Sequence, residues 1–274
     1  MLRALFRPAV PLTLLSLTLS LTLPPAATAA TCGNSAVGFQ AWKQDFASYA
    51  RKKGVKQRGL AALAGAQYAS RTIAADRNQK SFRYSLDKFM QIRGATTIVA
   101  QGRKRKAQDA AFFAALEKRY GVPAGVILAI HGMETGFGRF MGDSNVVDAI
   151  TTLAYDCRRP GFFTPHALAA LQLVDRGGLS AGTLGAKHGE VGHTQFLPGN
   201  ILKYGVDGNG DGRVDLTDRV DALASTANFL KKKGWRRGRP YQEGERNFKV
   251  IQEWNAATVY QQAIALMAAR IDAP

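Results

Sequence analysis

Residues 122–140 read VPAGVILAIHGMETGFGRF. The first half is an apolar run that belongs in a core, and Pro123 stands where a helix tolerates proline, near its first turn. The far end carries a carboxylate, Glu134. Taking that charge out of water is costly unless it is paired or changes its protonation state. Glu134 is therefore paired, placed at a cleft near solvent, or held partly protonated for use as an acid. Ile130, Met133 and Phe137 give it an apolar setting, while Gly132, Gly136 and Gly138 leave room for a ligand. Such a setting raises a carboxyl's pKa and keeps it protonated near neutrality. A helix-end glutamate paired with Arg139 or a lysine is the competing reading, and these residues alone do not choose.

Helical periodicity extends to both sides of this segment. Upstream, Phe39, Trp42, Phe46 and Tyr49 recur at helical spacing, as do Leu86 and Phe89 with Phe82 before them. Phe112, Leu116 and Tyr120 share a face, with Gly121 placed as a stop. Downstream, DAITTLAYD, HALAALQLVDRG and DALASTANFLKKKGW are amphipathic, and the glycine-rich stretch 136–215 reads as loops between short helices. No strand alternation persists and no fixed-period repeat is visible. The expectation is a mainly α single domain with a loop-rich centre.

The first 30 of the 274 residues read as a separate unit. Arg3 and Arg7 precede an apolar stretch ending in small residues suited to cleavage after Ala29 or Ala30, the pattern of a secretory signal peptide. The remainder, 31–274, is expected to be the functional domain, with no run long enough to span a bilayer. In an oxidising compartment its two cysteines, Cys32 and Cys157, favour one disulfide. The alternative of a lipidated Cys32 is disfavoured by the preceding TAAT. The formal net charge of +17 is spread over clusters at 51–53, 103–106, 231–233 and 236–239. That surface suits polyanions, and export makes nucleic acid the least favoured among them.

The segment DGNGDGRVDLTD, 207–218, has the spacing of an EF-hand calcium loop. Asp207, Asn209 and Asp211 alternate, Gly212 allows the sharp turn, and Arg213 offers a carbonyl. Asp215 and Asp218 fill the ninth and twelfth positions, with aspartate where glutamate is usual at the twelfth. The expected role of Ca2+ is structural. His188, Glu190 and His193 in KHGEVGHTQF lack metallohydrolase spacing and read as loop residues, and there is no G-x-S-x-G elbow. Glycosidases use paired carboxylates, yet nothing in the spacing marks Asp143, Asp148 or Glu190 as a partner for Glu134.

Four segments occur together and in order: YGVPAGVILAIHGMETGFGRFMG, DAITTLAYDCRRPGFF, GEVGHTQFLPGNILKYGVDGNGDGRVDL and DALASTANFLKKKGW. With the closing VIQEWNAATVYQQAIALMA, they resemble the membrane-bound lytic murein transglycosylase B family from about Phe39 to Ile271. The resemblance implies a lysozyme-like fold with an EF-hand-like calcium site and a single catalytic glutamate, here Glu134. It also implies a periplasmic, monomeric enzyme acting on peptidoglycan glycan strands and peptide stems. The implied reaction cleaves the β-1,4 link from N-acetylmuramic acid to N-acetylglucosamine without water. The C6 hydroxyl attacks its own anomeric carbon and leaves a 1,6-anhydro end, with Glu134 acting as acid and then base. By motif, Gln195 corresponds to an active-site glutamine, Asn255 to the asparagine of a Tyr-Asn pair, and Tyr260 to a tyrosine further on. Trp254 replaces the tyrosine of that pair. Arg158 and Arg159 match an arginine pair suited to stem carboxylates. Ala186 stands where many members carry serine, and His193-Thr194 also departs from the pattern.

An exported wall-binding or scaffold protein without turnover would share the groove, the basic surface and the calcium loop. The feature such a binder does not need is Glu134.

Overall fold

The computed structural model describes residues 31–78 and 84–274. The leader and Phe82 lie outside the described residues. Among the described residues there are thirteen α-helices: α1 (Phe39–Lys52), α2 (Gln57–Gly65), α3 (Ser70–Arg77), α4 (Leu86–Ile92), α5 (Ala95–Gln108), α6 (Ala110–Tyr120), α7 (Ala124–Thr135), α8 (Val146–Tyr155), α9 (Pro160–Arg176), α10 (Pro198–Tyr204), α11 (Arg219–Lys232), α12 (Arg246–Trp254) and α13 (Thr258–Asp272). None is long and apolar enough to cross a membrane.

The opening apolar run becomes α7, which packs against α5 and α13. Every residue of α7 is buried except Glu134. A helix apolar on all sides belongs inside a core, and full burial of residues such as Ile127, Leu128 and Ile130 stabilises by about 1.5–3 kcal/mol each. The helix stops at Gly136, whose left-handed backbone (φ 58°) lets its N–H reach Gly132 O while Phe137 N–H bonds His131 O. The Gly136 bond is the 5→1 closure of an αL helix end. It fixes Glu134 in the last turn.

Two other helices show how sequence faces turned out. In α1, Phe39, Trp42 and Phe46 are buried, with ring centroids of Trp42 and Phe46 4.5 Å apart in a stack. In α6 the buried face is Phe113, Leu116 and Tyr120, with Phe112 only partly covered. The expected face was therefore rotated by one phenylalanine.

The centre of the chain is less loop-like than its glycines imply. α9 is 17 residues long, with Pro160 at its first position and Pro165 inside it. The segments before and after the α8–α9 pair meet in a short antiparallel ladder, β1 (Ser144–Asn145) with β2 (Leu184–Gly185). This pairing anchors the start of the 186–195 loop beside α7. Cys32 and Cys157 are disulfide-bonded, joining the first described residues to the turn between α8 and α9.

Candidate active site

Glu134 opens onto a cavity of about 340 Å³ whose lining includes Glu190, Gln195, Trp254 and Asn255. Two distant residues meet it there. The Tyr260 hydroxyl, from the first turn of α13, donates to Glu134 Oε1 at 2.5 Å. The Trp254 indole N–H, from the last residue of α12, donates to the same oxygen at 3.0 Å. Both bonds fall on Oε1, which leaves Oε2 for a ligand. Burial pushes the Glu134 carboxyl up to about 7, against the pull of the Tyr260 and Trp254 donors; the Glu190 charge adds to the rise and Arg93 opposes it.

The Arg139 pairing offered as the alternative for Glu134 is not formed: Arg139 Nε donates to Gly136 O at 3.2 Å, and Glu134 is bonded by Tyr260 and Trp254. Nor do the glycines all leave ligand room. A Cβ on Gly132 would fall 2.5 Å from Ile98, and one on Gly138 would fall 2.3 Å from His193. Protein atoms occupy both spaces.

Gln195 has a left-handed backbone (φ 53°), rare for a residue with a side chain. Its Nε2 donates to Gly192 O at 2.7 Å and Met141 O at 3.3 Å. Two carbonyl partners fix which end of the amide is nitrogen. The side chain therefore offers the cavity an acceptor, Oε1, and no donor. Asn255 is set the other way: its Oδ1 accepts Ala257 N–H at 3.0 Å, so its amide N–H groups are what remain. Trp254 packs edge-on against Phe196 and Phe229, with centroids 5.3 and 5.2 Å away. Those contacts hold the indole on Glu134. Ala186 lines the same cavity. His193 does not point there; its Nδ1 is 2.9 Å from His131 Nε2 behind α7.

Arg158 and Arg159 already have a carboxylate. Both guanidinium groups bond Asp76 on α3, whose side chain is 2% exposed. Burial alone would raise the Asp76 carboxyl, but hydrogen bonds from the two arginines outweigh it and hold it below its ordinary value. The cluster reaches the cavity through His188, whose Nε2 is 3.9 Å from Asp76 Oδ1.

The 207–218 loop follows α10 and leads into α11. Asp207 accepts Gly210 and Gly212 N–H, Asn209 Oδ1 accepts Asp211 N–H, and Asp211 Oδ1 accepts Arg213 N–H. Asp215 Oδ1 takes Thr217 N–H. These hard oxygens suit Ca2+ in kind. In arrangement they are turned onto the loop's own amides, and no group of three or more acidic or imidazole side chains is gathered for a metal among the described residues. Asp218 also caps α11, its Oδ1 accepting Val220 and Asp221 N–H. The residue missed in the sequence is Asp221. It is fully buried and accepts Gly208 and Asn209 N–H on Oδ1 and Asp215 N–H on Oδ2.

The family model described as "Transglycosylase SLT domain" matches residues 38–245, spanning α7, the cavity loop and the acidic loop. The chain belongs to this family. It is 38% identical over 121 residues to the membrane-bound lytic murein transglycosylase B of Escherichia coli K12, covering 43% of this chain and 34% of that protein. The match thus spans about a third of that relative's length. SltB3 from Pseudomonas aeruginosa, solved in complex with NAG-anhNAM-pentapeptide, superposes with a TM-score of 0.77 at 30% identity, over 84% of this chain and 78% of that one. The Slt35 lytic transglycosylase of E. coli, solved in complex with calcium, gives a TM-score of 0.75 over 91% of this chain and 98% of that one. At 21% identity the Slt35 likeness speaks for the fold.

Proposed function

We propose that this protein is a peptidoglycan lytic transglycosylase with Glu134 as its catalytic acid. The observation that carries the reading is the Glu134 carboxyl itself, raised to about 7 by burial and held by two donors on one oxygen. Such a group keeps a proton on Oε2 near neutrality and can give it to the leaving oxygen of a β-1,4 bond between N-acetylmuramic acid and N-acetylglucosamine. The C6 hydroxyl of the muramic residue then attacks its own C1, its proton passes to a carboxylate in the cavity, and a 1,6-anhydro end is left. The resemblance gives that second transfer to Glu134 as well. Gln195 is suited to accept a substrate N–H or O–H, Asn255 to donate to a substrate oxygen, and the Trp254 ring to border a sugar. SltB3's complex with an anhydromuramyl peptide supports this substrate class.

The same reading places residues 31–274 as a monomeric catalytic domain exported to the periplasm after loss of residues 1–30. Arg158 and Arg159, 46% and 40% exposed, keep a face toward solvent for stem carboxylates, in competition with Asp76. Ca2+ at the 207–218 loop would be held by oxygens of Asp207, Asn209, Asp211, Arg213, Asp215 and Asp218, and would cross-link them. Calcium at a concentration far above its Kd is expected to raise the melting temperature, by about 2.7 kcal/mol of stability at 100 Kd. An unchanged melting curve at millimolar calcium removes the ion from the reading.

The deciding experiment is mass analysis of peptidoglycan digested by the mature protein and, in parallel, by Glu134→Gln. Muramic 1,6-anhydro ends from the wild type alone are expected. Reducing ends would make water the nucleophile. Binding without products from the wild type would favour a wall-binding protein.

A further inference from the structure

The cavity holds a second carboxylate that the single-acid scheme leaves idle. Glu190 lies in its lining with Glu134, and that lining includes no lysine or arginine, in a chain whose formal net charge is +17. Glu190 is half-buried and lines the cavity onto which Glu134 opens. The loop is built to hold it there. Glu190 O accepts Ala186 N–H at 2.9 Å, closing a turn whose start is anchored by the β1–β2 ladder. Glu190 Oε2 accepts His188 N–H at 3.2 Å, and His188 Nδ1 lies 3.7 Å from Oε1. Behind the imidazole stands Asp76, neutralised by Arg158 and Arg159. Arg158 and Arg159 thus bond Asp76, and the contacts to Glu190 come from His188.

A carboxylate in this position has two uses in the chemistry. Lining the cavity, it would oppose the positive charge that develops at C1 of a bound sugar as the glycosidic bond breaks, and fixed charge aimed at a developing charge is an effective form of catalysis. It is also an acceptor separate from the acid. Glu134 takes two protein donors on one oxygen, so one free oxygen would have to serve both the leaving group and the attacking hydroxyl.

We propose that Glu190 is the general base of the reaction, dividing between two residues the roles that a single glutamate would otherwise perform in turn. The inference rests on the transglycosylase reading above. In the first step the Oε2 proton of Glu134 moves to the leaving oxygen as the C1–O bond breaks. In the second, the C6 oxygen forms its bond to C1 and its proton passes to Glu190. Glu134 ends as carboxylate and Glu190 as carboxylic acid, and exchange with bulk water resets both.

The test uses two substrates that share a muramic residue and differ in leaving group: a natural tetrasaccharide, and a nitrophenyl glycoside whose leaving group departs without a proton. The full mature chain is assayed as wild type, Glu134→Gln and Glu190→Gln, with folding checked by circular dichroism. Glu134→Gln is expected to regain most of its rate on the nitrophenyl substrate. Glu190→Gln is expected to stay about 10²–10⁴-fold slow on both, the range of general base catalysis. Glu190→Ala should recover at least about tenfold when formate is added to fill the vacated space, a response a merely structural residue would not give. A Glu190→Gln rate within about twofold of wild type on both substrates overturns the proposal. So does a defect relieved by the nitrophenyl leaving group, which would make Glu190 an aid to the acid. Product identity separates the two claims: wild type yielding no anhydro ends defeats the transglycosylase reading, whereas anhydro ends with an unaffected Glu190 variant defeat only this one.

Discussion

Glu134 and Asp221 are both carboxylates drawn out of water at helix ends, and the protein treats them in opposite ways. Asp221 sits in the first turn of α11, the positive end of that helix, and three backbone N–H groups converge on its two oxygens. Glu134 sits in the last turn of α7, the negative end, and receives two side-chain donors on one oxygen only. Completed hydrogen bonding makes one carboxylate a fastener for the loop 208–215. Incomplete bonding at an unfavourable helix end, in apolar surroundings, suits the other to the proton-carrying role proposed for it.

Breaking the Glu134 side of this contrast should have the largest effect. Glu134→Gln is expected to lower turnover about 10²–10⁴-fold in a muropeptide-release assay, because the amide has no proton to give. Its stability should move the other way. The folded value of about 7 lies above the unperturbed 4.5, so the wild type's proton-linked stabilisation is complete below pH 4.5 and is lost as pH rises through about 7. The variant should therefore melt higher than wild type at pH 8 and close to it at pH 4. Equal melting temperatures at both pH values would show that the carboxyl is not held protonated.

The Asp221 side should respond in stability. Asp221→Asn replaces one acceptor with an NH2 group facing a backbone donor, stranding a buried N–H at a cost of about 1–3 kcal/mol. Urea unfolding should show that loss, with the anhydro-product spectrum unchanged. A variant as stable as wild type would mean that the loop closes without this carboxylate.

How much of this was legible in the sequence depended on the range of the interaction. α7 could be read because its apolar run, Pro123 and Gly136 are local signals, and Glu134 stood out as a charge in conflict with its neighbours. The α6 face was read one residue off because Phe112 and Phe113 are adjacent and either completes the spacing with Leu116 and Tyr120. α9 begins upstream of the amphipathic stretch that starts at His166, because Pro160 and Gly161 fall in a first turn whose N–H groups are unbonded, while Pro165 lies inside the helix. Asp218 was placed on calcium by counting positions. A second local signal was Asp218 followed three residues later by Asp221, the spacing of a cap and its N3 partner. The meeting of Trp254 and Tyr260 on Glu134 spans 120 and 126 residues, and no periodicity encodes it.

The finest test concerns how far the bonding of Glu134 is from complete. The Tyr260 hydroxyl favours the ionised form of Glu134 by donating to it, and so partly offsets the burial that raises it. Tyr260→Phe keeps the ring against Phe89, at a centroid separation of 6.2 Å in the wild type, and removes only the donor. Loss of a hydrogen bond to a charged acceptor is worth about 1.5–3 kcal/mol, and screening by the remaining Trp254 donor should reduce the net change to on the order of one pKa unit. Because the acid must be protonated to act, the alkaline limb of the pH–rate profile should move upward from about 7. Turnover on the acid side of the profile should change much less, since the protonated form gains little from that donor. A limb that stays in place would mean the Tyr260 bond does not discriminate between the two forms of Glu134. A limb that moves down would reverse the sign of the argument, making the tyrosine a stabiliser of the acid and leaving burial alone to explain the contrast with Asp221.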